Sequence, residues 1–257
     1  MSPLPPVWTQ VWSDEFDGPA GPVDSTKWRY DLGDGCPDVC GWGNNEKEYY
    51  RSASENIAID GGGQLVITAR VNSDTSLHCY YGACRYTSAK ITTRGKVSVL
   101  PGRVEARIKL AAGQGLWPAF WLLGANIGTV GWPTCGELDI MENKGSHPTI
   151  TSSAVHGPGY SGNTPFAHER ASPDSTTNFH VYAVEWDASS IRFSVDGVLH
   201  YGVSRTGVQA YGNWVFNQPF FIILNQAVGG HFDGDPASDA ILPATMYVDW
   251  VRVSRLQ

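Results

Sequence analysis

The 257-residue sequence has few charged residues and no long uninterrupted apolar segment. Lysine and arginine number 18 and aspartate and glutamate 25, which gives a formal net charge of −7, and charged residues make up only 17% of the chain. Because no excess of positive charge is present to hold a phosphate backbone, we expect no nucleic-acid partner. The most apolar stretch, 116–132, is interrupted by Pro118, Asn126 and Thr129, so we expect no membrane span.

Strong helix patterns are also missing, whereas aromatic residues and turn formers are abundant. The chain contains 10 Trp, 11 Tyr and 9 Phe, together with 29 Gly and 16 Pro. Many short strands joined by glycine- and proline-containing turns produce such a composition. No repeat, low-complexity tract or linker divides the sequence. We therefore predict an all-β protein of one domain, most economically a sandwich of two sheets.

Apolar residues that alternate with polar ones, or that follow one another without interruption, predict several strands. The Asp196-Gly197 pair that follows one of them predicts a hairpin turn. The run at 220–224 is continuously apolar, which suits a strand buried on both faces. The predicted strands lie at 64–71, 103–110, 191–195, 220–224 and 246–253.

Five cysteines form two closely spaced pairs and one single residue. Cys36 and Cys40 enclose a short loop, as do Cys79 and Cys84, while Cys135 stands alone. We expect two local disulfides and one buried thiol, with five reduced thiols as the alternative. Zinc ligation is disfavoured because companion histidines are missing at zinc-finger spacings. Oxidised pairs would indicate a protein that works outside the reducing cytosol.

The first residues do not resemble a signal peptide. The opening Met-Ser-Pro-Leu has neither the basic start nor the apolar core of such a leader. We expect a secreted protein whose leader is absent from this sequence.

The most informative segment is Glu137-Leu138-Asp139-Ile140-Met141-Glu142, which carries three acids among apolar residues. In a regular strand Glu137 and Asp139 share one face, whereas Glu142 points to the other face. A β-bulge at Ile140 or Met141 would return Glu142 to the face of the first two acids. The segment therefore predicts a bulged strand with a triad of acids on one face.

Three acids on one face repel one another, and this repulsion raises at least one pKa. One acid can then stay protonated near neutral pH while another is ionised. Glycoside hydrolysis by a retaining mechanism needs such a pair, one carboxylate as nucleophile and one acid for the leaving oxygen. A solvated acidic face and a calcium site are the alternatives, although calcium loops are usually rich in Asp and Asn and contain a Gly turn.

The segment Glu137–Glu142 resembles glycoside hydrolase family 16, in its laminarinase-like form with the extra residue in E-x-D-x-x-E. The resemblance extends over nearly the whole chain, so we expect residues 1–257 to form a single catalytic domain of that family. It implies a β-jelly roll of two curved antiparallel sheets with a substrate cleft on the concave face. The supporting segments are 12–18, 41–46, 115–121, 219–225 and 248–253.

The resemblance also implies roles for individual residues. Glu137 would be the nucleophile, Glu142 the acid/base, and Asp139 would hydrogen-bond Glu137 and tune the charge of the group. No catalytic cofactor is implied. The substrate-binding candidates are Asn44, Lys90, Trp117, Trp121, His156 and Asn225.

Structural roles remain possible for several of the substrate-binding candidates. One of the two tryptophans could belong to the core, Asn44 could be a turn residue, and His156 could be structural. Lys90 stands where many family members carry arginine, and lysine cannot make the fork-shaped contacts of a guanidinium. The resemblance further implies a possible structural calcium ion on the convex face, held by Asp249 with carbonyl groups near Glu15 and Gly61.

The leading hypothesis is an endo-acting, retaining enzyme that cleaves internal β-1,3 linkages of laminarin-type β-glucan, acting as a monomer. A second hypothesis is a relative acting on mixed-linkage β-1,3-1,4-glucan or on a galactan. A third, non-enzymatic hypothesis is a β-glucan recognition module, which we expect to have lost the two glutamates. Both Glu137 and Glu142 are present, which favours the enzyme.

Overall fold

The computed structural model describes residues 7–257, and the first six residues, which include those that bear on a leader, lie outside this range. Most of the described chain is β-structure. The strands are β1 (Trp8–Asp14), β2 (Arg29–Tyr30), β3 (Glu48–Tyr50), β4 (Ile57–Ile59), β5 (Leu65–Val71), β6 (His78–Cys79), β7 (Gly82–Ala83), β8 (Tyr86–Ser88), β9 (Lys90–Thr92), β10 (Arg103–Lys109), β11 (Leu116–Gly124), β12 (Glu137–Asn143), β13 (Ile150–His156), β14 (Phe166–Ala171), β15 (His180–Trp186), β16 (Ser190–Val195), β17 (Val198–Ser204), β18 (Phe220–Val228) and β19 (Ala244–Leu256).

Helical structure is limited to short segments. Within residues 7–257 these are α1 (Ile127–Val130), α2 (Arg205–Val208) and the 3₁₀ turns Cys40–Gly43 and Asp239–Ile241. No helix in this part of the chain has the length and apolar character needed to cross a membrane. The all-β prediction is confirmed.

Two sheets account for nearly all strands of the described chain. One has ten strands, with β17-β16-β15-β10-β19-β5-β8-β3 as its path, β1 beside β19 and β4 beside β5. The other has seven strands in the order β14-β13-β12-β11-β18-β9-β2. Pairing is antiparallel except between β3 and β8, which run parallel. This is the predicted β-jelly-roll sandwich, with one parallel pair that the sequence did not indicate.

The main hydrophobic core lies between the two sheets. Strand β10 alternates between buried and half-buried residues, and its buried Val104, Ala106 and Ile108 are inaccessible to solvent. They join a cluster that also contains Leu122 of β11 and Leu138 of β12, which belong to the other sheet. Each inner face therefore covers the other, as the period of two in the sequence predicts.

Strand β18 is buried at all nine positions and is central to the sheet that carries β12. Phe220, Ile222 and Leu224 face the main core, while Phe221 and Ile223 belong to a smaller apolar cluster. The continuous apolar run thus forms a strand covered on both faces, as predicted.

The hairpin between β16 and β17 also matches its sequence pattern. Asp196 and Gly197 have φ angles of 51° and 75°, which a two-residue turn with positive φ at both positions requires. The cysteine predictions are confirmed as well: the chain contains the disulfides Cys36–Cys40 and Cys79–Cys84, and Cys135 is a buried free thiol.

Candidate active site

Strand β12 contains the predicted bulge. Its register with β11 shifts by one residue between Phe120 and Trp121, opposite Ile140. Its register with β13 shifts in the same place. The extra residue restores the alternation, so that Glu142 returns to the face of Glu137.

The two faces of β12 have opposite chemical character. Leu138, Ile140 and Met141 are buried in the core between the sheets, each with at most 2% of its surface exposed. The three acids of the strand instead line a cleft on the outer face of the sheet. An apolar inner face therefore fixes the register of the strand, and the register in turn fixes the position of the acids.

Two tryptophans bind the two glutamates. Trp117 Nε1 donates a 3.0 Å hydrogen bond to Glu142 Oε1, and Trp132 Nε1 donates a 2.9 Å hydrogen bond to Glu137 Oε2. Trp117 lies on β11, whereas Trp132 lies in the loop that precedes β12. Each glutamate thus has one oxygen held by an indole and the other left to interact elsewhere in the cleft.

His156 ends β13 and lies beside the first two acids. It is the cross-strand partner of Glu137. Its Nε2 lies 3.1 Å from Asp139 Oδ2 and 3.9 Å from Glu137 Oε1, and its ring centroid is 6.1 Å from that of Trp132. A nitrogen that can carry a proton therefore contacts both carboxylates.

Burial dominates the electrostatics of the three acids. It raises the pKa of Glu137, of Asp139 and of Glu142 to about 8 in each case. The charge of Asp139 raises the pKa of both glutamates further, while the hydrogen bond from the nearest tryptophan lowers it. Protonated and ionised carboxyl groups can therefore coexist in this cleft near neutral pH, which is the condition for acid/base chemistry.

The cleft continues from β12 across β11 and β18. Trp121 Nε1 donates a 2.8 Å hydrogen bond to Asn225 Oδ1, and Asn225 Nδ2 donates a 3.0 Å hydrogen bond to the hydroxyl of Tyr50. Asn225 is only 6% exposed. This chain of contacts fixes the indole of Trp121 against the floor of the cleft.

Lys90 occupies the end of this floor, on β9. It is buried to 93%, and its Nζ lies 4.0 Å from the ring centroid of Trp42 and 5.1 Å from that of Trp121. Burial raises the pKa of the nearby Glu46, and the charge of Lys90 opposes that rise. A buried cation held between aromatic faces and a carboxyl group can donate hydrogen bonds to a ligand while remaining in place.

The loop before β3 contributes the opposite wall. Gly41 has a φ of 60°, and a Cβ there would lie 3.0 Å from the ring of Tyr80, so the tight turn requires glycine. This turn places Asn44, whose Nδ2 donates a 3.1 Å hydrogen bond to Glu46 Oε1. Asn44 therefore faces the cleft with its amide oriented by a buried carboxyl group.

The structure brings together most of the residues predicted to form the site. His156 contacts Asp139 and Glu137, as described above, and the remaining catalytic and substrate-binding candidates line one cavity. Those residues are Asn44, Lys90, Trp117, Trp121, Glu137, Asp139, Glu142 and Asn225.

The two carboxylates in the region of the predicted calcium site are paired with arginines. Asp249 Oδ2 accepts a 2.6 Å hydrogen bond from Arg107, and both oxygens of Glu15 accept hydrogen bonds from Arg252, at 3.0 and 2.8 Å. Gly61 lies in a turn next to Ala20. Calcium takes about six to eight oxygen ligands, and the predicted set includes backbone carbonyls that these ion pairs do not engage, so the calcium site stays a prediction.

The calcium alternative for the acid triad is unsupported by its donors. Ligand atoms of Glu137, Asp139 and His156 lie within 4.8 Å of one another. One of these three donors is an imidazole nitrogen, and calcium prefers a larger set made of oxygens. The arrangement suits proton transfer better than calcium binding.

Several residues of the site belong to no sequence pattern that predicts them. Trp132, 47% exposed, contacts Glu137 from a loop without any strand pattern, so neither periodicity nor spacing indicated it. Trp42 and Glu46 belong to the segment 41–46, in which only Asn44 was assigned a role. Glu46 lies in a glycine-rich loop and is buried in the structure, where an unpaired glutamate is rare. The glycines around it were the only sign in the sequence that this loop is special.

Comparisons with known proteins agree with this geometry. The family model described as "Glycosyl hydrolases family 16" matches residues 45–252. The chain is 42% identical over 261 residues to a protein of Rhodothermus marinus named "Beta-glucanase", covering 97% of this chain and 86% of that protein. The solved structure of an endo-β-1,3-glucanase from Pyrococcus furiosus has a TM-score of 0.90 and 44% identity, covering 97% of this chain and 95% of that one. The laminarinase catalytic domain of Thermotoga maritima has a TM-score of 0.89 and 42% identity, with coverages of 97% and 99%.

Proposed function

The chain belongs to family 16 of the glycosyl hydrolases, and from this premise we propose that it is an endo-acting 1,3-β-glucanase that cleaves laminarin-type glucan with retention. The observation that carries the proposal is the bulged strand β12, which presents two half-buried glutamates to a cleft lined by tryptophans. The similar proteins named as β-glucanase, endo-β-1,3-glucanase and laminarinase support the choice of β-1,3-glucan.

In the first step the ionised Glu137 attacks the anomeric carbon and forms a glycosyl ester. The bond between that carbon and the leaving oxygen breaks, and the oxygen takes the proton of Glu142. The raised pKa of Glu142 supports this role, because the acid must hold its proton near neutral pH. The hydrogen bond from Trp132 stabilises the ionised form of Glu137.

In the second step Glu142, now ionised, removes a proton from a water molecule. That water attacks the anomeric carbon on the face opposite the ester, so that two inversions give net retention. His156 Nε2 contacts both Asp139 and Glu137, and we assign Asp139 and His156 the task of setting the charge on Glu137. Because the acids of β12 titrate as a coupled set, Glu142 can act as an acid in the first step and as a base in the second.

The cleft on the β11, β18 and β9 side would bind the non-reducing part of the chain. Trp121 and Trp117 offer aromatic surface to the apolar faces of glucose rings. Asn44, Lys90 and Asn225 offer donors and acceptors to the hydroxyl groups. Hydrogen bonds within the protein hold the side chains of Asn44 and Trp121 in place before the glucan binds. Because these side chains are already ordered, less conformational entropy is lost on binding.

The proposal is tested by measuring reducing-sugar release from laminarin, mixed-linkage β-glucan, carboxymethylcellulose and agarose. We expect fast cleavage of laminarin and a loss of at least about a thousandfold in Glu137→Gln and Glu142→Gln. Glu55→Gln, at an exposed glutamate paired with Arg51, serves as the matched control. Preference for mixed-linkage glucan or agarose would overturn the substrate, and glucan binding without cleavage would overturn the enzymatic assignment.

The stereochemistry is tested separately. Proton NMR of laminarioligosaccharide hydrolysis at early times should show the β-anomer at the new reducing end before mutarotation. Early appearance of the α-anomer would mean inversion and would contradict a nucleophilic role for Glu137.

Three further features belong to the same proposal. Residues 1–257 would form one catalytic domain, which the shared core of the two sheets supports. The protein would act outside the cell, because its two disulfides are stable in oxidising surroundings. It would act as a monomer, which sedimentation analysis checks directly.

A further inference from the structure

The bulge of β12 leaves one residue without a cross-strand partner on either side. The register of β12 with β11 passes from Asp139 to Met141 and skips Ile140. The register with β13 passes from Asp139 directly to Glu142, so Ile140 is unmatched on that strand as well. Because a buried backbone group needs a hydrogen-bond partner, an unmatched residue at a bulge depends on partners outside the regular ladder.

A serine of the neighbouring strand supplies a partner for this residue. Ser153 lies on β13 between the partners of Asp139 and Glu142, and it is only 1% exposed. Its Oγ donates a 2.8 Å hydrogen bond to the carbonyl oxygen of Ile140. This contact is on the inner side of the sheet, whereas Trp117 binds the carboxyl group of Glu142 on the outer side. The backbone and the side chain of this part of β12 are therefore held from opposite faces.

A histidine of the other sheet lies behind Ser153. His200 is on β17 of the ten-stranded sheet, and its Nε2 lies 3.3 Å from Ser153 Oγ. Its ring centroid is 6.0 Å from that of His168, on β14 of the seven-stranded sheet. Burial, together with the charges of Arg170 and His168, lowers the pKa of His200 to about 4. The His200 ring is therefore neutral near neutral pH.

The hydrogen bonds through Ser153 have a defined direction. A carbonyl oxygen can only accept, so the single proton of the Ser153 hydroxyl points to Ile140. The hydroxyl oxygen must then accept from His200, whose neutral ring carries its proton on Nε2. Two hydrogen bonds in series thus run from the opposite sheet to the bulge, and each one orients the next.

We propose that Ser153 and His200 are positioning residues, which hold the bulge of β12 so that the carboxyl group of Glu142 points at the leaving oxygen. The inference rests on the proposed function, in which Glu142 is the acid/base. Glu142 follows Ile140 after a single intervening residue, so rotation of the peptide group at Ile140 displaces its carboxyl group. A displacement on the order of 1 Å lowers the rate by up to about a hundredfold.

The test separates the steps that need Glu142 from those that do not. Laminarihexaose has a sugar leaving group, which takes a proton from Glu142, and the glycosyl ester is then hydrolysed by water that Glu142 activates. Dinitrophenyl β-laminaritrioside with added azide needs neither step, because dinitrophenolate leaves without a proton. Azide then displaces the Glu137 ester directly, which gives a glycosyl azide and the free carboxylate.

Ser153→Ala is the first variant. We expect its kcat on laminarihexaose to fall about tenfold, with KM changed less than about twofold, because the loss concerns the reacting groups and not the sugar contacts. Turnover of the aryl trioside with azide should change less than about twofold. Ser153→Thr keeps the hydroxyl and should restore kcat on the hexaose to within about threefold of the wild type.

Two further variants separate positioning from stability. His200→Phe keeps a ring beside His168 but removes the donor, and it should show the same pattern with a smaller loss of about threefold. Ser172→Ala is the matched control, because Ser172 is also buried and its hydroxyl bonds that of Thr151 on β13 at 2.9 Å, away from the bulge. It should lower Tm about as much as Ser153→Ala and leave the kinetics on both substrates unchanged.

Equal losses of Ser153→Ala on the two substrates, or no loss on the hexaose, would overturn the inference. So would a fall of kcat in Ser172→Ala as large as that in Ser153→Ala, because lower stability alone would then explain both. Glu142→Ala is the reference, which should be inactive on the hexaose and active on the aryl trioside with azide. If azide does not rescue Glu142→Ala, the acid/base role in the proposed function fails, a result that is distinct from any pattern of the Ser153 variants.

Discussion

The indole of Trp132 binds the carboxylate of Glu137 across a single 2.9 Å hydrogen bond. The two residues are only five apart in sequence, yet one lies on an exposed loop and the other on a buried strand. The contact places an aromatic ring at the mouth of the cleft and a hydrogen-bond donor on the proposed nucleophile. The loop that carries Trp132 therefore helps to lower the pKa of Glu137.

Trp132→Phe removes this donor and keeps most of the aromatic surface. Because the donor lowers the pKa of Glu137, its loss should move the acidic limb of the kcat/KM profile to higher pH and reduce kcat/KM about tenfold. The pH profile on laminarin measures both effects. Trp250→Phe, on strand β19 of the other sheet, is the control, and an unmoved acidic limb would contradict the role of Trp132.

Asp139→Asn should change how stability depends on pH. The folded protein binds more protons than the unfolded chain between the ordinary pKa of 3.8 and the folded value of about 8. Stability contributed by the protonated form is thus fully present below the lower value and is lost as pH rises through the higher one. The variant should lose less stability than the wild type between pH 5 and pH 9, by about 1–3 kcal/mol.

Urea unfolding at several pH values measures this difference in the free energy of unfolding. Glu55→Gln, which alters an exposed acid, should follow the wild-type curve. A parallel course of the Asp139→Asn and wild-type curves would show that Asp139 is not protonated by burial.

Deletion of Met141 tests the bulge. The shortened segment Glu-Leu-Asp-Ile-Glu places both glutamates on one face by simple alternation, so we expect measurable laminarin cleavage. Loss of the buried methionine side chain should lower stability by about 2–5 kcal/mol. Deleting Ile140 as well turns Glu142 toward the core.

The double deletion should therefore be inactive, and reducing-sugar assays beside circular dichroism measure activity and folding together. The single-deletion variant could instead fold and be as inactive as the double-deletion variant. That result would contradict the idea that the extra residue serves only to place Glu142 on the same face as Glu137.

Lys90→Met tests the buried cation of the non-reducing cleft. Without its charge the pKa of Glu46 should rise further, because burial already raises it. We expect KM for laminarihexaose to increase about tenfold with kcat changed less than threefold, since Lys90 lies away from the reacting atoms. Lys96→Met, at an exposed position, is the control. A loss confined to kcat would contradict a binding role.

The fold could be predicted from sequence because local patterns and global packing agree. Three local patterns each predict an element that the sandwich contains. They are the alternation in β10, the apolar run in β18 and the Asp196-Gly197 turn. The bulge could be predicted as well, since three acids and three apolar residues in six positions fit two faces only with one extra residue.

The site was less accessible to such reasoning. Trp132 and Glu46 reach the cleft from irregular loops, whose course depends on contacts distant in sequence. Calcium binding at Asp249 stays a prediction, but no sequence pattern indicated that Arg107 lies on a neighbouring strand, where its guanidinium pairs with that carboxylate. Strand pairing over long sequence distances is not visible in a single segment.

The sequence alone therefore determined the all-β character of the chain and the face on which Glu137, Asp139 and Glu142 lie, and it indicated which nearby cysteines pair. These follow from a side-chain period of two and from short loop lengths, which are local properties of the chain. Only the tertiary structure decided the hydrogen-bond partners of the glutamates and the burial that, more than their mutual repulsion, raises their pKa values. These depend on distances between strands and loops that packing alone brings together.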